Sequence, residues 1–200
     1  KGPFSEKNIK MKEVDGWIGV NEYLKGHPSR PHMQHTKILT EPMIVGLARD
    51  GVEDGLVVRD LAGLESGGRY YLPAFAALHS KTGAEIARKN GARDPAAFWE
   101  EHLIVAKAKA DAEQEGLAGL SHTSPHSQNY LIELDKHMRP TGKIVVRDMD
   151  MYVDAAFLRH HLNRVSPAYR AALTNDAGLN ARTYKFTLMN GLPLTPSWLG

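Results

Sequence analysis

The chain has no cysteine, no long apolar run and almost no charge excess, and each absence removes a class of function. Without cysteine there is no disulfide, no thiolate nucleophile, no zinc ribbon and no iron–sulfur cluster. A disulfide-free sequence suits a reducing compartment, so the cytoplasm is the expected location. No stretch approaches the roughly 20 apolar residues a membrane helix requires, and no charged-then-apolar leader opens the chain. The 25 basic and 23 acidic residues leave a formal charge of +2. That balance gives no general pull toward nucleic acid or a membrane surface, so neither is expected as a partner; a homo-oligomer is left open.

What is there is ordinary globular material: 200 residues, 42% hydrophobic and 24% charged. That length suffices for one large domain or two small ones with a real core. Residues 1–26 are polar, with Trp17, Ile18, Val20, Tyr23 and Leu24 as their apolar anchors. The prolines of Gly26-His27-Pro28-Ser29-Arg30-Pro31 fix an irregular turn. Ile38 to Leu47 reads as a short strand or extended piece broken by Pro42, and Leu56 to Arg59 as a buried strand. Leu72 to Arg88 reads as helix, with Pro73 in its first turn. Asp94-Pro95 is a helix start that should run to Glu115 and stop at Gly116. The charges Glu100, Glu101, Lys107, Lys109, Asp111 and Glu113 are expected on its solvated face, and Trp99 as a packing anchor. Short helices are expected at 155–161 and 167–173. The fold class is therefore α+β, an antiparallel sheet or hairpin with flanking helices.

The informative stretch begins at His126-Ser127-Gln128-Asn129. A strand follows to Leu134, then a hairpin connection from Asp135 to Gly142, then a strand Lys143–Arg147. An antiparallel return brings Arg147, Asp148 and Asp150 back to the end where His126 and Asn129 sit. The result is an imidazole, an amide, a guanidinium and two carboxylates in one small volume. Oxygen ligands of this kind suit Mg²⁺, which takes one or two carboxylates together with phosphate oxygens and water. Arg and His suit phosphate charge, and protein kinases place an Asn and a metal-binding Asp about a hairpin for the same purpose. The plainer alternative is that Asp148 and Asp150 cap a turn and His126 is a loop residue.

Several of these stretches resemble the aerobactin-synthetase (IucA/IucC) family, siderophore synthetases that work independently of peptide synthetases. Leu72-Pro73-Ala74-Phe75-Ala76-Ala77-Leu78 resembles that family's Pro-Ala-Ala-Leu segment. His126-Ser127-Gln128-Asn129 with the returning Val145-Val146-Arg147-Asp148 resembles its His-x-Gln-Asn and Arg-Asp elements, in the same order over roughly 56–158. Gly26 to Pro31 with Lys37 is similar to its Gly-His-Pro-x-His-Pro-x-x-Lys element, with Arg30 in place of the second His. The resemblance implies a catalytic region over 56–200, of palm-and-thumb type, behind an N-terminal extension or small subdomain over 1–55. It implies an ATP- and Mg²⁺-dependent ligase that adenylates a small-molecule carboxylate and joins it to an amine or alcohol. His126 and Arg147 would contact phosphates or substrate, and His126, Asn129, Lys37 and His27 would bind the nucleotide. Asn129, Asp148 and Asp150 would hold Mg²⁺, with His126, Arg147 and Asp148 as the catalytic set.

Ser124 stands where the family carries a Glu, and the family fold is several times larger, so the chain is expected to be a piece or a reduced relative. A kinase-like phosphotransferase and a non-catalytic nucleotide- or carboxylate-binding relative are the alternatives. His32, His35, His160 and His161 lack closed-site metal spacing and are expected as surface or packing residues.

Overall fold

A computed structural model describes residues 11–25, 27, 32–50, 52–62, 64, 67–123, 125–154 and 157. Ser124, Arg30, His160, His161 and nearly all of the two expected C-terminal helices lie outside them. The first element is a helix, α1 (Met11–Leu24), in the stretch marked only by scattered apolar anchors. Val14, Trp17, Val20, Tyr23 and Leu24 are its buried positions, recurring at three and four residues as one helical face demands.

A four-stranded sheet forms the centre, ordered β1 (Thr36–Ile38), β7 (Pro140–Val146), β6 (Tyr130–Leu134), β4 (Tyr70–Pro73). Neighbours run antiparallel except β1, which lies parallel to β7 with Thr36 opposite Ile144. Pro73 both ends β4 and caps the N-terminus of the helix that follows. It faces Leu131 on an edge strand, where a residue without an N–H is tolerated. The expected long helix is instead two, α2 (Ala74–Leu78) and α3 (Ser80–Lys89), broken at His79 in an extended conformation. Gly83 makes that break compact: a Cβ there would lie 1.8 Å from the Ala77 carbonyl oxygen. Trp99 Nε1 donates to the Gly83 carbonyl at 2.9 Å.

Asp94 caps the next helix as expected, its carboxylate accepting from the N–H groups of Ala96 and Ala97. That helix, α4 (Pro95–Trp99), passes through a π-helical stretch at Glu100–Val105 into α5 (Ala106–Ala118). The change of pitch explains why its apolar residues fit one helical period poorly. It runs through Gly116 and stops at Gly119, whose φ of 62° suits a residue with no Cβ. The expected solvated face is corrected too. Lys107 and Asp111 are buried, bonded to each other, and Lys107 lies 4.4 Å from the centre of the Tyr130 ring. Thr36 Oγ1 donates to the Ala110 carbonyl at 3.1 Å, tying α5 against the sheet over Ile132, Ile144 and Val146.

A separate hairpin, β2 (Met43–Arg49) with β3 (Val52–Val58), runs through the expected boundary at residue 55. Two short strands, β5 (Leu120–His122) and β8 (Met151–Val153), pair antiparallel beside the main sheet.

Candidate functional site at an interrupted ribbon

The segments β5–β6 and β7–β8 form one long antiparallel ribbon whose ladder breaks in the middle. Leu120 to His122 pair with Val153 to Met151, and Tyr130 to Ile132 pair with Val146 to Ile144. Between the two ladders lie residues 123–129, Ser124 outside the described residues, and across from them residues 147–150. Chain cannot pair where the lengths differ, so both segments turn their polar groups into one gap. The five residues singled out in the sequence lie there.

Asn129 is buried and ends a short 3₁₀ turn, Ser127–Asn129, that starts just after His126. Its Nδ2 donates to Asp148 Oδ2 at 3.0 Å and lies 3.5 Å from His126 Nε2. A carboxylate only accepts, so the amide nitrogen must face Asp148, leaving the Asn129 oxygen turned away from it. Gln128 Nε2 stands 3.3 Å from the same His126 nitrogen. Arg147 Nε donates to the Gln128 carbonyl at 2.7 Å, and the Arg147 N–H to the Asn129 carbonyl at 3.0 Å. The His126 turn and the Arg147 strand end are thus bonded twice over.

Asp148 has a φ of 75°, a left-handed conformation that costs a non-glycine residue of order 1–3 kcal/mol unless its surroundings impose it. The surroundings do impose it. The Met149 N–H donates to Glu41 at 3.0 Å, the Asp150 N–H to Asp148 Oδ1 at 3.3 Å, and the Asp150 carbonyl accepts from Thr123 N and Oγ1 at 3.0 Å each. His122 Nε2 lies 3.2 Å from the Arg147 carbonyl. The Arg147 N–H and carbonyl, the Met149 N–H and the Asp150 carbonyl are thus all held by other parts of the chain.

Charge in the gap is mixed. Burial lowers the Arg147 pKa below its ordinary value, the Arg59 guanidinium lowers it further, and Asp148 and Glu41 oppose both. Buried Glu41 bonds Arg59 and also walls a groove of about 350 Å³ between α1 and β2. Burial lowers the His122 pKa from 6.5 against the raising effect of Asp148, so the ring is neutral near pH 7.

Lys37 and His27 have other partners. Lys37 Nζ bonds buried Glu133 at 2.9 Å, near the turn end of β6, a carboxylate that also accepts from Thr141 Oγ1. His27 is buried with its ring 4.9 Å from that of Tyr23. The Asp150 N–H donates to Asp148 Oδ1, and the Asp150 carboxylate lies near enough to His122 to raise its pKa against the effect of burial.

Among the described residues, no three His, Asp or Glu side chains gather closely enough to hold a metal by themselves. As the Asn129 amide stands, with its N–H toward Asp148, only the carboxylate faces a prospective ion; with the amide turned over, its oxygen and Asp148 would be a donor set that fits Mg²⁺ only in company with phosphate oxygens and water.

Glu41, Arg59, His122 and Thr123 were not anticipated from the sequence. Glu41 carries one legible signal, a lone acid inside the apolar run from Ile38 to Leu47. His122 carries none, because Leu120-Ser121-His122 is too short to show alternation.

No protein-family model matches this sequence, and no curated protein matches it. The fold is similar to that of the petrobactin biosynthesis protein AsbB from Bacillus anthracis str. Sterne, with a TM-score of 0.58 at 13% identity over 82% of this chain and 29% of that one. It is also similar to the aerobactin synthetase IucC from a hypervirulent pathotype of Klebsiella pneumoniae, with a TM-score of 0.51 at 12% identity over 81% of this chain and 30% of that one. The chain therefore spans about 30% of the length of these two structures. At such identities the likeness is a remote one, of an α+β fold.

Proposed function

We propose that the interrupted ribbon is the nucleotide and metal site of an ATP-dependent, carboxylate-activating ligase of siderophore-synthetase type. The observation that supports this reading most is the bonded cluster His126–Asn129–Asp148 with Arg147, held in a strained loop, in a fold similar to two siderophore-biosynthesis proteins. In the reaction, a carboxylate oxygen attacks the α-phosphorus of ATP and pyrophosphate leaves. An amine or alcohol then attacks the acyl carbon, gives up a proton, and AMP leaves.

His126 and Arg147 would donate to phosphate oxygens, and a rigid array of this kind would lower the barrier by stabilising developing charge without reorganising. Asp148 would hold Mg²⁺, joined by the Asn129 oxygen once that amide turns over from its bond to Asp148. Bound there, the ion neutralises phosphate charge. The Arg147–Gln128 bond keeps the guanidinium oriented before any ligand arrives.

The test is ATP–pyrophosphate exchange across a panel of di- and tricarboxylates, with ADP measured alongside. Exchange that depends on the acid is the expected result, slow because little chain is present to clamp the acid. ADP without AMP would move the assignment to a kinase-like phosphotransferase. ATP bound but never turned over would leave a nucleotide-binding module, a reading favoured by the small number of carboxylates in the gap.

A further inference from the structure

We propose that His122 is a positioning residue for the metal site, acting on Asp148 through the Arg147 carbonyl without touching nucleotide or ion. The inference rests on the reading of Asp148 as the metal-facing carboxylate.

The Arg147 carbonyl oxygen can only accept a hydrogen bond, so the His122 Nε2 at 3.2 Å must carry the proton. His122 is 6% exposed and its ring centre lies 5.8 Å from that of Tyr130, so packing fixes the ring plane. It stands at the last residue of β5, paired with Met151, the first residue of β8. It therefore grips the loop 147–150 from the ladder that closes it, while the Arg147 N–H is gripped from the other ladder by Asn129.

The peptide between Arg147 and Asp148 is the one whose rotation sets the left-handed φ of Asp148. Holding its oxygen fixes the direction of the Asp148 carboxylate. An apolar residue in place of His122 would leave that buried carbonyl unsatisfied and let the peptide turn. Groups outside a metal's own ligands commonly change metal affinity by about 10- to 100-fold in this way.

The experiment compares the wild type with His122→Leu and His122→Gln, using Mn²⁺–ATP as a spectroscopically visible probe. Melting temperature and backbone amide exchange are measured in parallel without ligand. We expect His122→Leu to weaken Mn²⁺–ATP by at least about 10-fold and to speed exchange at Met149 and Met151 but not in β6 and β7. Gln places an N–H where Nε2 was, so His122→Gln should restore both.

Wild-type affinity and unchanged exchange in His122→Leu would overturn the proposal while Asp148→Asn still lost the probe. If the wild type itself failed to bind Mn²⁺–ATP, the metal reading would fall and this inference with it. Should His122→Leu not fold, His122→Asn replaces it. The Asn amide stops short of the carbonyl, so affinity equal to that of His122→Gln would overturn the role.

Discussion

Asn129 donates its side-chain N–H to Asp148 at 3.0 Å, joining the two segments of the ribbon where their backbones part. The bond and the strained φ of Asp148 point the same way: the carboxylate is held in one direction before any ligand is present.

Asp148→Asn separates that geometry from the charge. Asn tolerates a left-handed conformation better than most residues, so the loop should persist and the melting temperature should stay within a few degrees of wild type. The anionic ligand is lost. Calorimetry should show ATP affinity in the presence of Mg²⁺ falling by at least about 10-fold, toward its metal-free level. Equal affinity with and without Mg²⁺ in the wild type would remove the metal role.

The Lys107–Asp111 pair should behave as a buried charge pair. Its side chains are 2% and 10% exposed. Lys107→Ala or Asp111→Ala strands the other charge and should cost about 3–5 kcal/mol in urea unfolding. The double change Lys107→Met with Asp111→Leu should be nearly neutral, because well-packed apolar residues of similar volume commonly replace such pairs. Single variants as stable as wild type would show that water reaches the pair.

Asp135 provides an acid-sensitive contribution in the β6–β7 turn. The backbone N–H of Arg139, and less strongly that of His137, donates to its carboxylate and lowers its pKa below the ordinary 3.8. A depressed native pKa favours folding fully above the unfolded value; the contribution fades as pH falls through about 3.8 and is gone below the native value. Melting temperatures between pH 5 and pH 2 should fall more for wild type than for Asp135→Asn, which keeps an acceptor but no charge. Parallel curves would exclude the contribution.

The site was legible because its frame is local. Short apolar runs, Tyr130 to Leu134 around the single charge of Glu133 and Ile144 to Val146, mark β6 and β7, five residues connect them, and the return geometry then places Arg147 and Asp148 beside Asn129. What stayed hidden depends on distant partners. Lys107 and Asp111 look like any i, i+4 pair on a wet helix, and only the sheet packed over them makes them interior. Pro73 reads as a helix start, which it is, and only Leu131 opposite it reveals that it also closes a strand. The three residues of β5 have no pattern of their own and become a strand only through β8.

The parallel seat of β1 beside β7 also governs the order in which the chain can assemble. The β6–β7 hairpin closes across a few residues, whereas Ile38 and its neighbour Val146 are 146 − 38 = 108 positions apart. Contacts that span so much sequence form late, because the intervening loop must be closed before they contribute. At synthesis rates of roughly 5–20 residues per second, β1 emerges some 5–20 s before the strand it must join. For that interval its amide edge has no native neighbour, and Thr36, destined for the Ala110 carbonyl, waits on the whole of α5 as well.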